Sequence, residues 1–413
     1  MLKNRSIQIF VLCWFVYSNA YFCRTNLSIS LPYMQQDMAI TKTELGVIAS
    51  AFFWVYACGQ LINGHLGDKQ NPRFFVALGL VVAGASNILF AFNRSFAFMI
   101  LLWGSNGFFQ SMLWGPIIRT FSAYTDPLKL KQRATYLSVS MITGSLLAYT
   151  VIAKLAVYLS WQWLYLIPGF ILVLSGVVWY LSLGDFSAVE ATLKQPPQMA
   201  AAAAQEPPQK QSSLLSFLVK NGLWIVAIIG MLQGVIKEGI ALWGPTLISE
   251  SSQADFQLVL SLFALLPIAN LLAVFACARI NRLLHFVEKR TMAVFFTVGI
   301  GASALLAFKF SSGLLWTIGL LALLSASIAA ANTILISQIP LNFDQEGRVS
   351  TTAGFLDCAI YLGAAVSGPL FGALADRGAW QLVIILFALF SICSLGMACF
   401  VPNYKNQKKQ TTV

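Results

Sequence analysis

Hydrophobic residues in this chain form long continuous blocks that are separated by short polar segments. The blocks are roughly 20–25 residues long, which is enough for a helix to cross the hydrocarbon core of a bilayer. They do not alternate between apolar and polar residues at every second position, as the strands of a membrane barrel do. Since a spanning segment must satisfy its backbone hydrogen bonds internally, the pattern predicts an all-α membrane protein with twelve transmembrane helices in two six-helix bundles.

These helices are numbered spans 1 to 12 in chain order. The predicted spans of the first half are Ile7–Tyr33, Leu45–Leu66, Phe74–Phe92, Phe96–Phe121, Ala134–Tyr158 and Trp161–Leu183. Those of the second half are Leu223–Ile248, Phe256–Ala278, Thr291–Phe308, Leu314–Ile339, Val349–Leu374 and Trp380–Val401.

The positions of Lys and Arg predict the orientation of the spans. An even number of spans places both termini on one side, and the segments of that side carry most of the basic residues. The other side carries Lys42, Arg94, Lys309 and Arg377. Because basic loops stay in the cytoplasm, we expect both termini to be cytoplasmic and the protein to lie in the cell (inner, cytoplasmic) membrane.

Composition excludes several classes of protein. The 413 residues are 58% hydrophobic and 10% charged, too apolar for a soluble domain of this length. The formal net charge of +11 is explained by the basic loops, so no nucleic-acid partner is expected. The seven cysteines lack disulfide or metal-ligand spacing, and no nucleophile–base constellation is present. We therefore expect neither catalytic residues, nor a metal, nor a cofactor, and not an enzyme.

The chain divides in the middle. Residues 184–213 are rich in Pro, Gln and Ala and predict a cytoplasmic linker between bundles at 1–183 and 214–413, the second ending in a short cytoplasmic tail. The halves also repeat weakly. Arg24 precedes Pro32 by eight residues in span 1, and Lys237 precedes Pro245 by eight residues in span 7. Such a repeat is typical of duplicated transporter folds.

The segment from Gly64 to Arg73 follows span 2 and has a Gly, an Asp four residues later and then basic residues. It resembles the signature loop of the major facilitator superfamily. We expect Gly64 to allow close helix packing. We expect Asp68 to pair with a cation or a helix N-terminus and so to stabilise one conformation. An ordinary charged turn is the alternative.

Charged residues inside spans are costly and usually mark a transport path. Span 1 carries Arg24, with Tyr17, Tyr21 and Ser28 on the same helical face. The alternative for Arg24 is a structural ion pair or a misplaced span boundary. Span 7 carries Lys237, which either binds substrate or forms an internal ion pair with Glu238 or Asp357.

Two acids complete the set of mid-span charges. Glu238 and Asp357 are candidates for proton coupling, and a helix–helix hydrogen bond is the alternative for Glu238. Adjacent residues of a helix point about 100° apart, so Lys237 and Glu238 are expected to face different partners.

Polar residues in span 4 recur at every fourth position. Asn106, Gln110 and Trp114 therefore form one predicted stripe. An amide stripe facing lipid would be costly, so we expect this stripe to form a cavity wall, with interhelical hydrogen bonding as the alternative.

The chain resembles the organophosphate:phosphate antiporter family of that superfamily. The stretches that carry the resemblance are Tyr21–Asn26, Gly64–Arg73, Trp103–Gln110 and Gly239–Thr246. The resemblance implies that Arg24 and the residue at Lys237, an Arg in the family, grip the substrate phosphate. Lys at this position keeps the charge but loses the planar fork of Arg. Gln60 stands where the glycerol-phosphate branch has a Lys, and span 5 lacks the His of that branch. The pattern from Arg24 to Ser28 also resembles that of the anion:cation symporters.

Three functions follow as hypotheses. The first is alternating-access transport of a phosphorylated sugar or related organophosphate, with inorganic phosphate as the exchanged ion. The second is proton-coupled symport of a sugar acid or other carboxylate. The third is a transporter-like ligand sensor. In each case a monomer in the lipid bilayer binds a small anionic substrate through Arg24 and Lys237. The remaining expected contacts are Tyr17, Tyr21, Asn106, Gln110 and Trp114.

Overall fold

A computed structural model describes residues 2–125, 127–184, 213–309, 313–343 and 348–404 of the chain. Within these residues twelve helical segments are long and apolar enough to cross a membrane, one at each predicted span. The predicted fold class is therefore confirmed. Most of the predicted linker and the tail after Tyr404 lie outside the described residues, so the domain boundaries remain predictions.

Several spans are single helices, and others are interrupted. Spans 1 to 3 are Leu2–Met38, Lys42–Lys69 and Pro72–Ala91. Span 4 consists of Phe96–Gln110 and Trp114–Ala123. Span 5 consists of Pro127–Leu147, the π-helical turn Ala148–Ile152 and Ala153–Tyr158, and span 6 is Trp163–Leu183.

In the second half a short helix, Leu214–Lys220, precedes span 7, which is Leu223–Ser252. Span 8 consists of Phe256–Phe263 and Leu265–Leu283, and span 9 is Glu288–Phe308. Span 10 consists of Leu314–Thr333, the π-helical turn Ile334–Gln338 and the 3-10 turn Pro340–Phe343. Spans 11 and 12 are Val349–Asp376 and Trp380–Ala398.

Local sequence determines where the helices begin. Thr41 caps span 2 in a capping box with Glu44, in which each side chain accepts a backbone N–H of the other residue. Asn71 caps span 3 and is followed by Pro72, which needs no N–H partner at a helix start. Gly222 separates the short helix from span 7 with a φ of 64°, a backbone conformation that favours glycine.

Small residues let the spans approach closely. A Cβ at Gly46 of span 2 would clash with the backbone of Gly368 in span 11. A Cβ at Gly363 of span 11 would clash with the carbonyl of Met231 in span 7. These contacts join span 11 both to the first half and to its own half, as small residues do at membrane helix interfaces.

The signature segment differs from the sequence expectation. Span 2 continues as a helix to Lys69, so Gly64 lies in the helix and not in a loop. The expectation of close packing at Gly64 is wrong for the described residues, because a Cβ there would meet none of their atoms within 4 Å. The close contact is at Gly67, where a Cβ would lie 2.8 Å from Cγ of Pro116 in span 4. Span 4 therefore crosses span 2 at Gly67, about one helical turn after Gly64.

Basic residues hold the ends of this segment. The guanidinium of Arg119 donates to the carbonyls of Gly67 (2.9 Å) and Gln70 (3.2 Å), where the negative end of the span 2 dipole lies. Nε of Arg73 donates to the carbonyl of Tyr180 in span 6 at 2.8 Å. The side chain of Asp68 lies outside what the structure describes, so its latching role stays a prediction.

Candidate substrate site

A cavity of about 650 Å³ lies between the two halves of the molecule. Spans 1, 2, 4 and 5 of the first half and spans 7, 8, 10 and 11 of the second half contribute its lining. The interruptions of spans 4, 5 and 10 reach this lining at Trp114, Tyr149 and Ile336. Irregular helical turns of this kind are frequent at functional sites of membrane proteins.

The two halves are tied together on the face opposite the chain termini. Nζ of Lys42 in span 2 pairs with Oε1 of Glu250 in span 7 at 2.6 Å, and the indole N–H of Trp380 donates to the same carboxylate at 2.7 Å. Asp376, at the end of span 11, accepts the backbone N–H groups of Lys42 (2.8 Å) and Thr43 (2.9 Å). A carboxylate from the second half thus caps the N-terminus of span 2.

The cavity extends toward the face that carries the termini. Its lining includes Gln60 in span 2, Gly354 in span 11 and Ser337 in span 10. Each of these residues lies toward the end of its span on the face that carries the chain termini. A Cβ at Gly354 would meet no atom of the described part of the chain within 4 Å. The structure therefore shows a conformation that is closed on the face opposite the termini.

Arg24 lies in a box of aromatic rings. The centres of the surrounding rings are 4.9–5.6 Å from its guanidinium carbon and belong to Phe52, Phe53, Tyr361, Tyr56 and Tyr21. Such contacts stabilise a cation that has lost its hydration. Nη1 donates to the hydroxyl of Tyr361 at 3.4 Å, a long hydrogen bond. Arg has five N–H donors, and within the described residues this is its one hydrogen bond.

One carboxylate oxygen joins the two predicted anion-binding cations. Oε1 of Glu238 is 2.9 Å from Nζ of Lys237 and 3.7 Å from Nη2 of Arg24. Lys237 thus forms the internal ion pair with Glu238 that the sequence left open as an alternative, and within the described residues it is Glu238, not Lys237, that contacts Arg24. The structure therefore brings Arg24 and Lys237 together, with Glu238 between them.

Asp357 shares the cavity but stands apart from this triad. It lines the cavity one helical turn before Tyr361, which holds Arg24. Among the residues that the structure describes, Asp357 forms no direct ion pair.

The aromatic residues predicted from spans 1 and 4 form one wall of the cavity. The ring of Tyr17 lies 4.6 Å from that of Trp114 and 5.5 Å from that of Tyr21, and all three residues line the cavity. Ser28, on the same face of span 1, donates to the carbonyl of Leu242 in span 7 at 2.8 Å. This face of span 1 thus contributes both to the cavity and to the contact between the halves.

The predicted cavity stripe of span 4 is wrong in part. Asn106 and Gln110 are buried outside the lining, and Nε2 of Gln110 donates to Oδ1 of Asn106 at 3.0 Å. Trp114 alone of the three lines the cavity. The reason is the break at Ser111–Leu113, which ends one helix and turns the next, so the period of four does not continue on one face.

Sequence reasoning missed a neutral polar wall on the second half. The hydroxyl of Ser325 donates to Oδ1 of Asn270 at 2.9 Å, and Nε2 of Gln233 donates to Oδ1 of Asn332 at 2.7 Å. Asn270, Ser325 and Asn332 line the cavity. Amides inside predicted spans were a usable signal for this wall. Of the rings around Arg24, Tyr21 was expected from its place on the same face of span 1. The rings of spans 2 and 11 gave no such signal, because Phe and Tyr are common throughout these spans.

Comparison with known proteins agrees with the fold. The profile of the Major Facilitator Superfamily matches residues 13–359. A probable hexose phosphate transport protein of Chlamydia muridarum is 24% identical, over 97% of this chain and 91% of the relative. A glycerol-3-phosphate transporter of Bacillus subtilis is 23% identical, over 98% of this chain and 94% of the relative. The crystal structure of the nucleoside transporter NupG is 16% identical, covers 96% of this chain and 98% of its own, and has a TM-score of 0.72.

The profile covers most of the chain, and the relatives are membrane transporters and not enzymes. They also confirm the resemblance to the organophosphate:phosphate antiporters. This multi-pass membrane protein therefore belongs to the Major Facilitator Superfamily, and within it the protein is similar to the organophosphate:phosphate antiporters.

Proposed function

We propose that the protein is a secondary active transporter that moves a small organic anion, a phosphorylated sugar or related organophosphate, by alternating access. The observation that carries this proposal is Arg24. Its guanidinium is partly buried at the cavity wall, and most of its donors have no protein acceptor among the described residues. Phosphate oxygens match the fork of a guanidinium, so an anion in the cavity would complete its hydrogen bonds.

The remainder of the cavity suits a polyhydroxylated ligand. Lys237 adds a point charge from the second half, so the anionic group would be held between the two halves. Tyr17 and Trp114 offer ring faces on one side, and Asn270 and Asn332 offer amides on the other. Relatives named for hexose phosphate and glycerol-3-phosphate transport support this substrate class. Inorganic phosphate is the exchange ion that this family resemblance implies.

A ligand screen tests the substrate class. A ligand that binds the folded protein raises its unfolding temperature by mass action. We expect hexose phosphates or glycerol 3-phosphate to stabilise the purified protein more than gluconate and glucuronate do. Counterflow of the stabilising ligand in proteoliposomes then separates a transporter from a ligand sensor. Stabilisation by sugar acids alone would contradict the proposal.

Proton-coupled symport of a sugar acid is the second candidate, and the acids of the cavity favour it. Glu238 already offsets positive charge at the site, which suits a monoanion better than a dianionic phosphate. Glu238 and Asp357 share the cavity lining with Arg24, Lys237 and three tyrosines. These are Tyr21, Tyr56 and Tyr361.

The two acids give this candidate a direct test. A carboxylate that binds and releases a proton during transport would couple uptake to a pH gradient. Glu238→Gln and Asp357→Asn remove that capacity separately and together. We expect pH-driven uptake of gluconate to be lost in the double variant. Intact pH-driven uptake would show that neither acid couples transport to protons.

The orientation and assembly complete the proposal. We place both termini in the cytoplasm of a protein in the cell membrane, because of the distribution of Lys and Arg. The conformation seen here is then open to the cytoplasm. The substrate path lies within one chain, since both halves of the cavity come from it, so we propose a monomer.

A further inference from the structure

A carboxylate of the chain itself lies between the two cations of the cavity. Oε1 of Glu238 contacts both Arg24 and Lys237, and the side chains of Arg24 and Glu238 are 11% and 9% exposed. The proposed function assigns these cations to the substrate. Glu238 therefore occupies the position that a substrate oxygen would take.

Burying unpaired charge costs free energy, so the contact of Glu238 with the two cations affects how easily the carrier changes conformation without substrate. During alternating access the site is closed on both sides for part of the cycle, and unpaired charges in such a site are strongly unfavourable. A carrier whose site held two bare cations would need an anion in it each time it changed conformation. Such a carrier would exchange one anion for another and would not return empty.

We propose that Glu238 is a tethered substitute for the substrate anion, and that it allows the empty carrier to return. The protein then catalyses net one-way transport and not obligatory exchange. This inference rests on the proposed function, because it takes Arg24 and Lys237 as the anion site.

The position of Glu238 in the chain suits this role. Its contact with Lys237 lies within span 7, so a rigid rotation of the halves leaves it intact. Its contact with Arg24 joins span 7 to span 1 and, at 3.7 Å, is longer than a hydrogen bond. A substrate anion therefore has to compete for Arg24 against a weak contact only.

The ratio of two fluxes tests the inference. Proteoliposomes are loaded with labelled glucose 6-phosphate, or in a parallel series with labelled gluconate. Efflux is measured into buffer without anion and into buffer with a saturating amount of the same unlabelled anion. For the wild type we expect the two effluxes to agree within about tenfold, a difference of about 1.4 kcal/mol between the barriers of the empty and loaded carrier.

Variants of one residue provide the comparison. Glu238→Gln keeps the shape of the side chain and removes its charge, so we expect the ratio of empty-return flux to exchange to fall by about tenfold or more. Glu238→Asp keeps the charge on a shorter side chain and is expected to hold a ratio closer to that of the wild type. Size-exclusion profiles and unfolding temperatures establish that each variant is folded.

The possible outcomes separate a failure of the inference from a failure of the proposed function. Exchange without measurable one-way efflux in the wild type would overturn the inference and leave the proposed function standing. An unchanged ratio in Glu238→Gln would also overturn the role of Glu238. No flux of either probe in the wild type would overturn the proposed function and the inference with it. If Glu238→Gln does not fold, the wild-type ratio and the Glu238→Asp ratio still decide the question.

Discussion

The surroundings of Arg24 indicate how the site would bind an anion. Aromatic rings on spans 1, 2 and 11 hold its guanidinium at the cavity wall, and they leave its donors largely unused by the described residues. A structural ion pair would have consumed those donors, whereas the contact with Glu238 is 3.7 Å long. We therefore expect the geometry of the fork, and not only the charge, to matter for anion binding.

Replacing Arg24 by Lys tests that geometry. The variant keeps the charge and loses the paired donors, at about 1.5–3 kcal/mol for each charged hydrogen bond. We expect the affinity for the stabilising anion to fall roughly tenfold to hundredfold, measured by titration calorimetry. Arg94→Lys is the matched control, because Arg94 pairs with Asp37 at the surface and lies outside the cavity. Unchanged affinity in Arg24→Lys and in Lys237→Ala would place the anion site elsewhere.

Asn270 provides a second test at the residue scale. Its Oδ1 accepts the hydroxyl of Ser325 at 2.9 Å on the neutral wall of the cavity. Asn270→Leu keeps the volume of the side chain but removes about 0.5–1.5 kcal/mol of hydrogen bonding to a ligand hydroxyl. We expect affinity for glucose 6-phosphate to fall roughly twofold to tenfold, while affinity for butyl phosphate stays the same. An equal loss for both ligands would mean that the substitution damages the site as a whole.

At the scale of elements, spans 2 and 11 form the contact that closes one face. The close approach of Gly46 and Gly368 lets the two helices touch, and the carboxylate of Asp376 then reaches the N-terminus of span 2. These spans belong to different halves, so a rocking motion that opens this face must separate them. The contact is therefore specific to the conformation seen here.

Gly46→Val tests this conformational role. The added side chain has no space against the backbone of Gly368, and overpacking of this kind costs about 1–3 kcal/mol. We expect the closed face to be disfavoured roughly fivefold to hundredfold, and the rate of anion exchange in proteoliposomes to fall accordingly. Gly301→Val is the matched control, because a Cβ at Gly301 meets nothing within 4 Å among the residues that the structure describes. Equal exchange rates in the two variants would show that this contact does not limit transport.

At the scale of the whole molecule, labelling of single cysteines can test on which side of the membrane the chain termini lie. Ser213 precedes the second half on the face of the termini, and Lys309 lies between spans 9 and 10 on the other face. Both residues are exposed. In a background without the seven native cysteines, we expect the Ser213→Cys variant to react with an impermeant maleimide only in inside-out vesicles. The Lys309→Cys variant is expected to react in intact cells. The reverse pattern would overturn the proposed orientation.

The sequence alone predicted the spans because the bilayer imposes one strong constraint on all of them. Each span must be long, apolar and internally hydrogen-bonded, and these properties are local. Rare mid-span charges were equally visible, so Arg24, Lys237, Glu238 and Asp357 were found from the sequence, and the structure places all four at one cavity. The cost of burying a charge is what makes such residues conspicuous.

Other features depended on how distant segments meet, and only the tertiary structure decided them. The break in span 4 turns Asn106 and Gln110 away from the cavity that Trp114 lines. Gly67 packs closely while Gly64 does not, since the crossing point of two helices is set by both partners. The sharing of Glu238 between two cations likewise requires spans 1 and 7 to be brought together. Periodicity describes one helix at a time, whereas the charge balance of the site is a property of the packed pair.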